Sequence, residues 1–215
     1  MIQILKIPES ILNESTAIFT TYIYIISNRY KKSKNIKINY ETLAKQMNIH
    51  IRHIRTYIEE LMKNGFITVS EPTTKQNGKK GAVTITLTTT DQHYVILPLT
   101  VMLDKPIPKT YRQYYARLKR IINLNTFTTF KTPTELQQHL GCNVKTYREF
   151  MKCMKSIKID EHALILDETN GSEYKIVMEY EQYVATNHDN DATEIKKAVR
   201  KNNKVSQDES YPNIL

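Results

Sequence analysis

Two stretches of this chain, 93 positions apart, follow the same pattern of apolar, polar and turn residues, and this repeat constrains the fold more than any other feature. The first stretch is residues 39–64, NYETLAKQMNIHIRHIRTYIEELMKN. The second is residues 132–157, TPTELQQHLGCNVKTYREFMKCMKSI. Apolar residues recur at helical spacing in both stretches, so that Leu43 corresponds to Leu136. We therefore expect two copies of one fold in tandem.

Each copy is predicted to contain, in order, a helix, a strand, two helices and two strands. The first copy begins with ILKIPESILN and a helix that ends near Tyr30, and Asn39 is suited to cap its second helix. The second copy begins with VILPLTVMLD, and Asn170-Gly171 is typical of a hairpin turn. This order predicts an α+β, mostly helical chain with two tandem winged-helix (helix-turn-helix) domains. We place them at residues 1–90 and 91–181, followed by a charged, flexible tail at 182–215.

The turn between the paired helices has a conformational requirement that the sequence meets twice. A helix-turn-helix needs a residue there that tolerates the left-handed backbone conformation. Asn48 holds this position in the first copy and Gly141 in the second. The second helix of each pair then turns Ile54 or Tyr147 inward, so that the residues between the inward positions face away from the core.

These outward-facing residues are the candidate DNA contacts. Arginine can form two hydrogen bonds with guanine, asparagine can bond adenine, and an aliphatic group can touch the thymine methyl. A basic helix face that is merely solvated is the alternative interpretation. The candidates in the first copy are His50, Ile51, Arg52, His53, Arg55 and Thr56. The candidates in the second copy are Asn143, Lys145, Thr146 and Arg148.

The two predicted hairpins, or wings, differ in charge. The first carries three candidate phosphate contacts around Asn77-Gly78, namely Lys75, Lys79 and Lys80. The second carries carboxylates and is expected to stay away from the DNA backbone; these are Asp167, Glu168 and Glu173. The first helix of the second copy has five cations that predict either a phosphate-contact stripe or a solvated face. They are Lys109, Arg112, Arg117, Lys119 and Arg120.

The distribution of charge favours a polyanionic partner. The chain has a formal net charge of +9. From residue 182 onward it holds five acids and five bases, so the whole positive excess lies in residues 1–181. An excess of this kind favours nucleic acid as a partner without identifying it.

No arrangement typical of catalysis, of a cofactor site or of a metal site is present. His50 and His53 lie three residues apart but lack a third ligand nearby, and there is no phosphate-binding loop or zinc-finger spacing. We therefore expect a protein that is not an enzyme and has no metal or cofactor. No apolar run approaches the ~20 residues of a membrane span. We expect Cys142 and Cys153 to be reduced, the protein to be cytoplasmic, and no membrane partner.

In its two fused winged helices, each led in by a segment such as KIPESILN or ILPLTVML, the chain resembles the replication initiator (Rep) proteins of plasmids and related phages or mobile elements. The resemblance covers about residues 1–181 and is one of architecture more than of signature residues. It implies binding to repeated double-stranded sites at a replication origin, a monomer–dimer balance and contact with host replication proteins. A transcription regulator that binds an operator and a winged-helix module that binds another protein are the alternatives.

Overall fold

The computed structural model describes residues 4–29, 33–70, 81–88, 93–170 and 173–187, which form an α+β protein with small antiparallel sheets. A short 3-10 helix covers Glu9–Asn13. The α-helices in these ranges are α1 (Thr16–Ser27), α2 (Tyr40–Met47), α3 (Ile51–Lys63), α4 (Leu99–Leu103), α5 (Lys109–Lys119), α6 (Pro133–Leu140), α7 (Val144–Ser156) and α8 (Glu179–Asn187). The strands are β1 (Ile4–Pro8), β2 (Asn35–Ile38), β3 (Ile67–Val69), β4 (Val83–Leu87), β5 (Tyr94–Pro98), β6 (Thr128–Thr129), β7 (Lys158–Ile159), β8 (His162–Ala163), β9 (Leu166–Asn170) and β10 (Glu173–Val177). None of the helices in the described ranges has the length and apolar character needed to cross a bilayer.

The chain divides into two compact units, residues 1–113 and 114–215, and the division falls inside α5. Strand β5 belongs to unit 1 because it pairs antiparallel with β1, with Lys6 opposite Ile96. Because this pairing places β5 in unit 1, the compact units divide later than the domain boundary that was predicted after residue 90. The predicted domain boundary itself stays a prediction.

Unit 1 places three helices against a small sheet in the order β2–β4–β3. Helix α3 buries Ile54, Ile58 and Leu61, which the 3.6-residue helical period brings to one face. The side chain of Asn39 caps α2, as predicted, by accepting hydrogen bonds from two backbone N–H groups. Helix α1 is capped by Ser15, so it begins after the residues of the 3-10 helix.

Unit 2 repeats this arrangement with the sheet order β6–β10–β9. All four boundaries of α6 and α7 lie 93 residues after those of α2 and α3: 40 to 133, 47 to 140, 51 to 144 and 63 to 156. Helix α7 buries Tyr147, Phe150, Met151 and Met154. The repeated elements predicted from the sequence are therefore present, and unit 2 adds the small β7–β8 hairpin.

Helix α8 continues to Asn187, six residues beyond the predicted end of the second domain. Tyr180 and Glu181 on its first turn are buried, and the Tyr183 ring stacks on His162 with 4.0 Å between ring centroids. Residues 182–187 therefore belong to this helix. The rest of the predicted tail, residues 188–215, lies outside the described residues.

Candidate nucleic-acid interface

The two helix pairs, α2–α3 in unit 1 and α6–α7 in unit 2, turn through the same backbone conformation. Asn48 ends α2 with φ 52° and ψ 52°, and Gly141 ends α6 with φ 69° and ψ 39°. Both are left-handed, as predicted, and these two residue types carry the smallest steric cost there. Each turn then leads directly into the longer second helix of its pair.

A cation from α5 binds the carbonyl group just before each turn. Lys109 Nζ donates to the Met47 carbonyl oxygen at 3.2 Å, and Arg117 Nη1 donates to the Leu140 carbonyl oxygen at 2.7 Å. Met47 and Leu140 are equivalent positions of the repeat, and helix C-termini leave such carbonyls without helical partners. These two cations of the predicted phosphate stripe therefore stabilise the helix pairs.

The predicted stripe of exposed cations is also wrong at Arg112 and Lys119, because both side chains face the protein interior. Arg112 is buried and donates to the carbonyl oxygens of Met102, Asp104 and Ile107. Lys119 is buried against Glu181. Helical spacing gives the reason, since Arg112, Tyr115, Ala116 and Lys119 follow the i, i+3, i+4, i+7 pattern of one face, which is buried in α5. The charge of Arg112 and Lys119 suggested an exposed face, whereas their place in the helical period of α5 indicated the core.

On α3, the predicted contacts lie on the face opposite the buried isoleucines. His50, Arg52, His53, Arg55 and Thr56 are exposed, and Ile51 is half-buried. His50 also has a structural role, because its Nδ1 accepts a hydrogen bond from the Arg52 backbone N–H at 3.2 Å and so caps the helix. The His53 ring stacks beside Tyr57, with 6.1 Å between ring centroids. The two arginines are thus the cationic groups of the first two turns of this face.

On α7, the corresponding residues are placed in the same way. Asn143, Lys145 and Arg148 are exposed, and Thr146 is half-buried. Asn143 caps the helix, because its Oδ1 accepts a hydrogen bond from the Thr146 backbone N–H at 2.8 Å. Val144 is 48% exposed at the first helical position, so this unit also presents an aliphatic group. The predicted residues are brought together within each unit.

The two wings differ in which of their charged residues the structure describes. The predicted phosphate contacts Lys75, Lys79 and Lys80 lie outside the described residues, although β3 and β4, the strands of that hairpin, pair as expected. In the second wing, Asp167 lies 2.5 Å from Lys155 and Glu168 lies 2.8 Å from Lys175. Two of its three carboxylates are therefore neutralised by lysines, and the wing is less acidic than its own sequence indicates.

A groove between α7 and the β9–β10 hairpin was not predicted. It has a volume of about 480 Å³ and is lined by Tyr147, Arg148, Met151, Lys152, Lys155, Ser156, Asp167 and Tyr174. The two tyrosine hydroxyls lie 3.2 Å apart, and burial raises the pKa of both phenols, so both remain protonated. The sequence signal was the spacing of the α7 cations, which puts Arg148, Lys152 and Lys155 on one side of the helix.

The buried pair Lys119–Glu181 was also missed. The two charged groups are 4% and 3% exposed, and the Tyr115 hydroxyl donates to Glu181 Oε1 at 2.7 Å. The Lys119 ammonium also lies 5.4 Å from the centroid of the Phe127 ring. The partners are 62 residues apart in the chain, so no local pattern joins them. This cluster attaches α8 to α5 inside unit 2.

Metal binding receives no support from the described residues. In those ranges there is no group of three or more histidine, cysteine, aspartate or glutamate side chains that could hold a metal ion. Cys142 and Cys153 are free, and burial raises the pKa of both thiols. Comparison of the chain with models of known protein families and with curated proteins finds no match.

Proposed function

We propose that this chain is a sequence-specific double-stranded DNA-binding protein, in which two tandem winged-helix domains present α3 and α7 to the major groove. The observation that carries the proposal is a repeated pair of exposed cations. Arg52 and Arg55 on α3 correspond to Lys145 and Arg148 on α7 at the offset of 93 residues. Both helices therefore offer charged donors at the same two outward positions, next to the helix N-terminus.

The chemistry of these positions suits base recognition better than a solvated face. Arginine and lysine bond the O6 and N7 atoms of guanine in the major groove, and Val144 on α7 can touch a thymine methyl group. The apolar residues of each helix are buried beneath, which fixes its outer face. A solvated face has no requirement for the same charge at equivalent positions of two units.

Within DNA-binding proteins, we assign the chain to replication initiators, on its resemblance to the tandem winged-helix Rep proteins. Two recognition helices in one chain suit an origin with repeated sites, because each copy of the chain carries two reading surfaces. A second copy of the chain and host replication proteins are the further partners that the resemblance implies. No metal, cofactor or catalytic residue is part of this proposal.

We expect one chain to protect two successive major-groove faces of its site, on the order of 20 base pairs. The measurement is selection of bound duplexes from the DNA of the host and its mobile elements, followed by footprinting. Repeated sites beside an AT-rich segment support an initiator, and a single palindrome in a promoter indicates a regulator instead. If no duplex is retained, the chain is a protein-interaction module. Protection of half the expected length by a monomer would assign α7 another role.

A further inference from the structure

The second half of the outward face differs in charge between α3 and α7. Four cations on α7, Lys145, Arg148, Lys152 and Lys155, lie at intervals of three or four residues along one side of the helix. On α3, the first two equivalent positions are also cations, but the next two are Glu59 and Met62. The basic face therefore ends after two turns in α3 and continues to the last turn in α7.

The groove beside α7 places these cations next to hydroxyl groups. Arg148, Lys152 and Lys155 line it together with the paired Tyr147 and Tyr174 hydroxyls. Asp167 is the carboxylate in its lining, and it is held by Lys155 at 2.5 Å. Arg148 and Lys152 consequently give the groove a net positive charge, and both side chains are exposed.

A groove of unit 1 that shares two corresponding positions with it, Arg55 for Arg148 and Glu59 for Lys152, has the opposite balance of charge. It has a volume of about 370 Å³ and is lined by Arg55 together with the carboxylates of Glu41 and Glu59. Two carboxylates and one guanidinium repel an anion, whereas the unit 2 groove attracts one. The two units thus differ in the ligand that a groove beside their second helix can accept.

We propose that the groove between α7 and the β9–β10 hairpin binds phosphate groups of the DNA backbone. This inference rests on the proposed function, and it assigns to unit 2 a phosphate site of which Arg148 alone was among the predicted contact residues. Lysine and arginine are the usual partners of backbone phosphates, and tyrosine and serine hydroxyls add neutral donors. Phosphate contacts release counterions and carry no sequence information, so this groove supplies salt-dependent affinity for any duplex.

The test is the salt dependence of binding to the selected site and to a random duplex by the full chain and three variants. We expect Lys152→Ala to weaken binding to both duplexes by the same factor and to lower the slope of log affinity against log salt by roughly one. Lys152→Arg should keep the slope. Lys175→Ala is the matched control, because it removes the same charge from the adjacent strand β10 but does not line the groove. It should leave the slope unchanged.

Three results would overturn the groove assignment. The slope could stay the same in Lys152→Ala, or it could fall equally in Lys152→Ala and Lys175→Ala, which would indicate a general effect of net charge. In both cases duplex binding by the unsubstituted chain would still support the proposed function. If the unsubstituted chain binds no duplex, the proposed function fails and the groove assignment fails with it. Equal melting temperatures of the variants serve as the check on folding.

Discussion

Replacement of Arg52 or Arg55 by alanine should weaken binding to the selected DNA site by about 1–3 kcal/mol each and binding to random DNA by much less. Both guanidinium groups are exposed on the outer face of α3 and have no role in its core. A bidentate contact with guanine is lost only where that base is present, which confines most of the loss to the selected site. The measurement is equilibrium binding of each variant to both duplexes at one salt concentration.

Lys63→Ala is the matched control for the arginine variants. Lys63 is an exposed cation in the last turn of the same helix. It lies about three turns from the N-terminal end of α3, which is proposed to enter the major groove of the DNA. Its loss should change binding to the two duplexes by similar, small factors. If both arginine variants lose equal affinity for selected and random DNA, as a phosphate contact would, α3 does not read bases. The basic face would then be a solvated or purely electrostatic surface.

The helix pairs could be predicted because their determinants are local. Each cap, turn and apolar stripe lies within a few residues of the structure that it specifies, as Asn39, Asn48 and Gly141 illustrate. The repeat shows the same pattern of caps, turn and apolar residues a second time. The boundaries of the paired helices accordingly match at a constant offset of 93 residues.

Other features depend on partners that are distant in the chain, and there the sequence was insufficient. Four cations of α5 were predicted to be exposed because of their charge alone, yet each donates a hydrogen bond to a group within the fold. They are Lys109, Arg112, Arg117 and Lys119. The Asp167 carboxylate was expected to repel the DNA backbone, but Lys155 lies beside it and neutralises its charge. Periodicity carried part of this information, because Arg112 and Lys119 occupy core positions of α5, but the identity of their partners follows only from the tertiary structure.

The largest effect on stability is expected from Glu181→Gln. This variant leaves the Lys119 ammonium buried without its carboxylate, and removal of one partner of a buried ion pair costs about 3–5 kcal/mol of unfolding free energy. The substituted amide oxygen can still accept the hydrogen bond from Tyr115, so the loss reports the charge. Lys119→Met combined with Glu181→Gln removes both charges and keeps similar volumes. The double variant should recover most of the stability in urea unfolding, whereas equal losses in the single and double variants would contradict an electrostatic origin.

The pH dependence of the unsubstituted chain gives an independent test of the same cluster. Burial lowers the pKa of Lys119 to about 7 from an ordinary value of 10.5. The unfolded chain therefore binds a proton between these two values that the folded chain does not, so the free energy of unfolding rises with pH across this window. The double variant lacks the lysine and serves as the reference for all other titrating groups. The free energy of unfolding of the unsubstituted chain, relative to that of the double variant, should rise from about pH 7 to about pH 9.5 in urea unfolding. A difference that is constant over this range would mean that Lys119 stays charged in the folded chain and that burial does not govern its protonation.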